Sequence, residues 1–161
     1  MFIVDVIKKE NAEGELKLLY KMIEKSLGFV PAHFELFATI DIEAMKEFVA
    51  YNQKMLIHKT IDKNLLPYLR LEIAQRECRE YCTVFNTKMI KNMQEKYDEK
   101  QEILLQKVIK AIYHSSEFES KDLAEVREFG FSDKDFFDLL SYSTNFMAKS
   151  KMIEIYTKRV A

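Results

Sequence analysis

Residues that break helices are scarce in this sequence. Its 161 residues include three glycines and two prolines, and a β-sheet domain of this length needs many more of both at its turns. Long apolar runs are also missing, since none approaches the ~20 residues of a membrane-spanning helix. The apolar start of the chain, residues 1–7, is short and is interrupted by Asp5, so it does not resemble a signal peptide. We therefore expect a soluble protein built from helices.

An excess of charge of one sign is lacking as well. The 25 basic and 26 acidic residues leave a formal net charge of −1, which argues against nucleic-acid binding. The chain has two cysteines, and because we expect no export signal, we also expect reduced thiols and a cytoplasmic protein. Its three histidines, His33, His58 and His114, lack the spacing of metal ligands. We predict neither a metal nor a cofactor.

Helix-forming residues in apolar stripes dominate the chain. Hydrophobic residues make up 48% of it, and leucine, lysine, glutamate and methionine favour helices. A chain of this length buries about 70% of its unfolded surface, and one domain over residues 1–161 is expected. The periodicity predicts an all-α fold of seven or eight helices. These are placed at residues 12–27, 31–40, 42–58, 64–93 (with Tyr68–Met93 as one helix or two), 103–112, 120–129, 132–140 and 149–159.

Several helix ends have a predicted cap. Gly28 suits the left-handed position after the first helix. Asp41 is the predicted N-cap of the third helix and Asn64 that of the fourth. Ser132 with Asp135 resembles a capping box at the start of the next-to-last helix.

Residues 71–86 contain both cysteines and are the chemically distinctive segment. Cys78 and Cys82, four residues apart on a helix, project from the same face. Their Cα atoms would be about 6 Å apart, within the range of a disulfide, so a redox pair is geometrically allowed. Packing is the alternative, because free cysteine is commonly buried. Both cysteines belong to an apolar stripe of Leu71, Ala74, Cys78, Cys82, Phe85 and Met89.

This segment resembles the signature of the AhpD-like, or carboxymuconolactone decarboxylase, family. Members carry a glutamate, a run like L-x-V-A-x-R-x-G, then C-x-Y-C and a histidine four residues later. The stretches at residues 28–34 and 129–135 resemble the family's G-x-V-P-x-x-F and G-F-S-D-x-x segments, and the resemblance runs from about Val4 to Tyr156. It implies an AhpD-like helical fold. The matching residues in the cysteine segment are Leu71, Ile73, Ala74, Gln75, Arg76, Glu80, Tyr81 and Cys82.

Three of the four groups that the family's peroxidases use are replaced. Those peroxidases need a C-x-x-C pair, whose attacking thiol must be a thiolate, with a glutamate and a histidine that relay protons. Cys82 holds the second cysteine position, but Arg79 holds the first, Asn86 that of the histidine and Pro67 that of the glutamate. Cys78 replaces the glycine before the pair, which puts the family's helix break in doubt.

Charged neighbours offer a partial substitute for the missing groups. Glu72 or Glu80 would replace the proton relay, and Arg79 would lower the pKa of a neighbouring thiol. The structural alternative is a pair of ordinary i,i+4 ion pairs, Glu72–Arg76 and Arg76–Glu80.

The leading prediction is an AhpD-like protein that has lost the standard peroxidase machinery and acts as an oligomeric binding or scaffold protein. The alternative is a divergent thiol-dependent alkylhydroperoxidase or disulfide reductase. It would use Cys82 with Cys78 in antioxidant defence and would need a thiol reductant partner. A lactone decarboxylase, also known in the family, finds no support, since its histidine position is Asn86. The resemblance implies a homo-oligomer, whether dimer, trimer or hexamer. Large apolar residues compatible with an interface are Met45, Phe48, Phe136, Phe137 and Phe146.

Overall fold

Eight α-helices make up most of the chain in a computed structural model that describes residues 2–158. Within these residues, β-structure is limited to one antiparallel bridge between Phe2 and Thr157. The prediction of an all-α fold with seven or eight helices is confirmed. The helices are α1 (Gly14–Leu27), α2 (Ala32–Ile40), α3 (Ile42–Leu56), α4 (Leu65–Arg76), α5 (Glu80–Lys91), α6 (Gln101–Tyr113), α7 (Ser120–Glu128) and α8 (Asp133–Tyr156), with short 3₁₀ turns at Lys9–Asn11 and Ser115–Glu117.

Three of the predicted caps form. Oδ1 of Asp41 accepts hydrogen bonds from the second and third backbone N–H groups of α3, at 3.0 and 3.1 Å. Gly28 ends α1 in the left-handed region, with φ 81°. Ser132 and Asp135 bond reciprocally through backbone N–H and side-chain oxygen, at 2.7 and 3.1 Å. These short-range patterns therefore fixed the helix boundaries correctly.

The predicted capping hydrogen bond from Asn64 does not form. Asn64 does occupy the N-cap position of α4, but its side chain makes no capping hydrogen bond. Oδ1 of Asp62 accepts the N–H of Asn64 at 2.9 Å instead. Pro67 lies in the first turn of α4, where it removes no intrahelical hydrogen bond.

The end of the chain differs from the prediction, because two expected helices are one. α8 runs without interruption through residues 141–148, which contain neither glycine nor proline. Its buried serines bond within the helix, Ser143 to the carbonyl of Leu139 at 2.7 Å and Ser150 to that of Met147 at 2.9 Å. A hydroxyl bonded to a carbonyl of the preceding turn is compatible with a continuous helix. Arg159, the predicted last helical residue, lies outside the described residues.

Contacts divide the chain into two compact units, residues 2–52 with 155–158, and residues 53–154. In the first unit Tyr20 is buried and its hydroxyl donates to the carbonyl of Ile7 at 3.0 Å. The rings of Phe34 and Phe37 pack on that of Phe48, with centroids 5.5 and 5.6 Å apart. Phe48 itself is only partly buried, whereas Met45 is buried as predicted. One domain over the whole chain stays a prediction.

In the second unit α4 packs along α5 and contributes the most deeply buried side chains. Asp122, which is buried, accepts from the ammonium groups of Lys107 and Lys110 at 2.8 Å, so an ionic cluster joins α7 to α6. Hydrogen bonds from these two lysines hold the pKa of Asp122 well below its usual range. The core side chains of this unit include Leu65, Leu66, Leu69, Ile73, Leu104, Val108, Val126 and Leu139.

Candidate functional site

The cysteine segment is two helices joined by a tight break. The N–H of Arg79 donates to the carbonyl of Ala74 at 2.7 Å, and that of Cys78 to the carbonyl of Gln75 at 3.1 Å. This pair of hydrogen bonds ends a helix when the residue after its C-cap is left-handed. Cys78 has φ 54° and is the one non-glycine residue in the described chain with positive φ. The break therefore survives although cysteine stands where the resembling family has glycine.

The break separates the two cysteines. Cys78 lies between the helices with an exposed side chain, whereas Cys82 is the third residue of α5 and is 4% exposed. The prediction that both project from one helix face is wrong, because a continuous helix was needed for it. Cys78 is likewise not part of the buried stripe, although Ala74 and Cys82 are.

Cys82 is an uncharged thiol at neutral pH. Burial raises its pKa from 9.0 to about 11, and the nearby Glu154 carboxylate acts in the same direction. The guanidinium groups of Arg70 and Arg79 oppose this shift but do not overcome it. Arg79 thus lowers the pKa of its neighbour as predicted, yet the net effect is opposite to what a peroxidatic thiol needs.

Asn86 is 1% exposed and organises a polar network beside Cys82. Its amide nitrogen donates to the carbonyl of Cys82 at 2.8 Å, and its Oδ1 accepts from Nε of Arg70 at 2.8 Å. Nη1 of Arg70 donates to the hydroxyl of Tyr142 at 2.5 Å. The network links α4, α5 and α8 through neutral acceptors and one guanidinium. Neither Asn86 nor Arg70 can act as a base near neutral pH.

Arg79, at the family's first cysteine position, serves as an ion-pairing residue. Its side chain is 12% exposed and pairs with Glu154 on α8 and with Glu77 at 3.1 Å. Glu154 also accepts from Lys151 at 3.0 Å. A position that carries a reactive thiol in the resembling peroxidases is filled here by a structural charge cluster.

The two glutamates considered as substitute relays lie on the surface side of their helices. Glu72 pairs with Arg76 at 2.7 Å, with about 40% of each side chain exposed. Glu80 is the exposed first residue of α5. The predicted Arg76–Glu80 pair does not form within the described chain, since the helix ends between them. The guanidinium of Arg76 instead lies 5.3 Å from the ring centre of Tyr113.

The histidines are dispersed and each has a local explanation. His33 is buried against Phe34, with ring centres 4.5 Å apart. His58 bonds through Nε2 to Asp138 at 3.2 Å. His114 is exposed, 3.8 Å from Glu117. Residues 2–158 contain no cluster of three or more side chains suited to a metal ion, and no helix among them is long and apolar enough to cross a membrane.

An open cavity of about 340 Å³ lies elsewhere in the second unit. Its lining comes from the loop before α4 and the start of α6, with His58, Thr60 and Gln101 among the polar members, and includes neither cysteine.

The sequence did not reveal Arg70 and Tyr142, which complete the network around Asn86. Arg70 had one usable signal, a charged residue in the otherwise apolar first half of α4. Tyr142 had none.

The fold of this chain is similar to that of known protein structures. No protein-family model and no curated protein matches this sequence. Two solved structures match over 98% of the chain at 18% identity. One is the AhpD core of an uncharacterised peroxidase-related protein from Ralstonia eutropha JMP134, with a TM-score of 0.74 and 91% of that chain covered. This chain has the AhpD-like fold. The other, a peroxidase-related protein from Silicibacter sp. TM1040, has a TM-score of 0.73 with 88% covered. The AhpD-like fold expected from the sequence is thus confirmed.

Proposed function

We propose that this chain is an AhpD-like binding or scaffold protein that does not carry out thiol peroxidase chemistry. The observation that carries the proposal is the state of Cys82, whose burial keeps it protonated at neutral pH. A thiol is a poor nucleophile toward peroxide unless it is ionised and accessible.

The residues around Cys82 support the same proposal. Asn86 occupies the place of the histidine in the resembling peroxidases and uses both ends of its side-chain amide in the network. Pro67 occupies the place of the relay glutamate and has no proton to transfer. Neither Asn86 nor Pro67 can carry a proton to or from a reacting thiol.

Two measurements test the proposal. The first is alkylation of the thiols in the native protein, followed by intact mass. The second is the turnover of cumene hydroperoxide in the presence of a dithiol reductant. We expect one rapid label at the exposed Cys78, a second label only after unfolding, and no turnover above that of Cys82→Ser. Turnover that depends on Cys82 would contradict the proposal.

The second candidate is a divergent alkylhydroperoxidase or disulfide reductase, and one observation favours it. Cys78 is exposed and therefore within reach of peroxide or of a reductant. In this mechanism a hydroperoxide takes two electrons and two protons from the thiols of Cys78 and Cys82, which form a disulfide after local opening of the break, while the hydroperoxide is reduced to an alcohol and water. A mass loss of two protons after mild oxidation of the wild type, absent in Cys78→Ser, would support this candidate.

We also propose that the chain forms a homo-oligomer in the cytoplasm. Phe137 is 66% exposed on α8, an unfavourable position for an aromatic side chain in a monomer. Met45 and Phe136, also considered for an interface, are buried within the chain itself. Sedimentation velocity over a micromolar concentration series tests the oligomer, and a monomer at every concentration would contradict it.

A further inference from the structure

One arginine in the described chain differs from all the others in its partners. Among residues 2–158, Arg76 pairs with Glu72, Arg79 with Glu154, and Arg127 with Asp133. Arg70 alone has no carboxylate partner in this part of the chain. Its two hydrogen bonds go to neutral groups, Oδ1 of Asn86 and the hydroxyl of Tyr142.

The Arg70 guanidinium is held in one orientation. Asn86 and Tyr142 are 1% and 2% exposed, so both acceptors are fixed by the packing around them. A guanidinium has five N–H donors in a rigid planar fork. Two of the five are used, which leaves one on Nη1 and both on Nη2.

The charge of Arg70 is not neutralised locally. Its hydrogen-bonded partners Asn86 and Tyr142 provide no carboxylate, and the nearby thiol of Cys82 keeps its proton because it is buried. Arg70 is itself partly buried, so it has lost part of its hydration without gaining an opposite charge. An uncompensated cation of this kind is costly, and an anion that reaches it recovers part of that cost.

We propose that Arg70 anchors a binding site for a small free carboxylate, which the unused N–H donors of its guanidinium would hold. The proposal rests on the proposed binding function and gives the class of its ligand. One unpaired positive charge suits a monoanion, and a planar fork can hold both oxygens of a carboxylate at once. Partial burial leaves the group reachable from solvent.

Titration of the folded wild-type protein with sodium acetate at constant ionic strength tests this. The probe is the ¹⁵Nε–¹H resonance of Arg70, which its hydrogen bond to Asn86 protects from exchange with water. We expect a saturable shift with acetate, little response to chloride, and a weaker response to inorganic phosphate. Arg70→Gln removes this probe, so its acetate binding is read from the backbone amide resonances of Cys82 and Asn86, which are followed in the wild type as well. The variant should bind acetate at least about tenfold more weakly, the loss of roughly one charge-assisted hydrogen bond.

Arg127→Gln is the matched control, because Arg127 is an exposed arginine already paired with Asp133. It should leave acetate binding unchanged. If Arg70→Gln does not fold, the wild-type titration still decides, since the shift is measured without any variant. A non-saturable response, or one no larger than that to chloride, overturns the inference.

A carboxylate of a second copy of the chain is the other source of the same chemistry. In that case acetate has no effect on the resonance and Arg70→Gln shifts the sedimentation coefficient, which overturns the free-ligand proposal. The hydroperoxide assay on the same sample separates this inference from the proposed function. Turnover would overturn the function alone, and failure of the acetate titration would overturn the inference alone.

Discussion

The side-chain amide of Asn86 donates to the backbone carbonyl of Cys82 at 2.8 Å. The same amide accepts from Arg70, so the Asn86 side chain joins α4 to α5. We therefore expect Asn86 to stabilise the fold, so that removing its side chain lowers the free energy of unfolding.

Asn86→Ala should destabilise the protein by about 2 kcal/mol or more, because it leaves Nε of a partly buried guanidinium without its acceptor. Chemical denaturation at neutral pH measures this. Asn64→Ala is the matched control, since the Asn64 side chain makes no capping hydrogen bond, and it should change stability by less than about 0.5 kcal/mol. Equal losses in the two variants would show that the Asn86 network contributes nothing particular.

Cys78→Gly should stabilise the fold relative to Cys78→Ala. Cys78 sits at φ 54°, where a residue with a Cβ is strained by about 1 kcal/mol and glycine is not. Both variants remove the thiol, so their difference isolates the backbone.

Gly130 allows the opposite substitution to be tested at an equivalent position, because it also follows the C-cap of a helix. It ends α7 at φ 87° with the same hydrogen-bond pattern, from its own N–H to Arg127 and from Phe131 to Val126. A Cβ at Gly130 would meet no atom within 4 Å, so Gly130→Ala tests left-handed strain alone and should lower stability. Thermal unfolding that ranks Cys78→Ala above Cys78→Gly would refute the strain argument.

Alkaline pH should remove a stabilising contribution of Cys82. Its pKa is raised on folding from 9.0 to about 11, so the folded state binds the proton more tightly than the unfolded state. The contribution is complete below pH 9 and is lost as the pH rises toward 11. The stability difference between the wild type and Cys82→Ala should fall by about 2 kcal/mol over this window, near 1.4 kcal/mol per pKa unit.

The comparison with Cys82→Ala is needed because tyrosines also titrate at high pH. Burial raises the pKa of both Tyr20 and Tyr113 to about 12, and they affect both proteins equally. Urea denaturation at pH 8, 9, 10 and 10.5 measures the difference. A difference that stays constant with pH would mean that Cys82 is not desolvated in solution.

Local sequence patterns were sufficient for the helix boundaries that depend on neighbouring residues. Asp41 and the Ser132–Asp135 pair identified helix starts because a side chain reaches the free backbone N–H groups two or three residues away. Such patterns failed for α8. They predicted two helices at residues 132–140 and 149–159, although the segment between them contains no glycine or proline that would end a helix. At Asn64 the pattern gave the right N-cap position, but the side chain makes no capping hydrogen bond, and the carboxylate of Asp62 accepts from the backbone N–H of Asn64 itself.

By itself the sequence determined the helical class, through its few glycines and prolines and its apolar stripes, and it predicted which residues stand at the positions of the peroxidase groups in the resembling family. The tertiary structure decided what those residues contact. Packing removed Cys82 from water and so set its protonation state. It also brought Arg70, Asn86 and Tyr142 together from three helices. Contacts of this kind join residues as many as 72 positions apart, and periodicity carries no information over that separation because it reports only which face of a helix is buried.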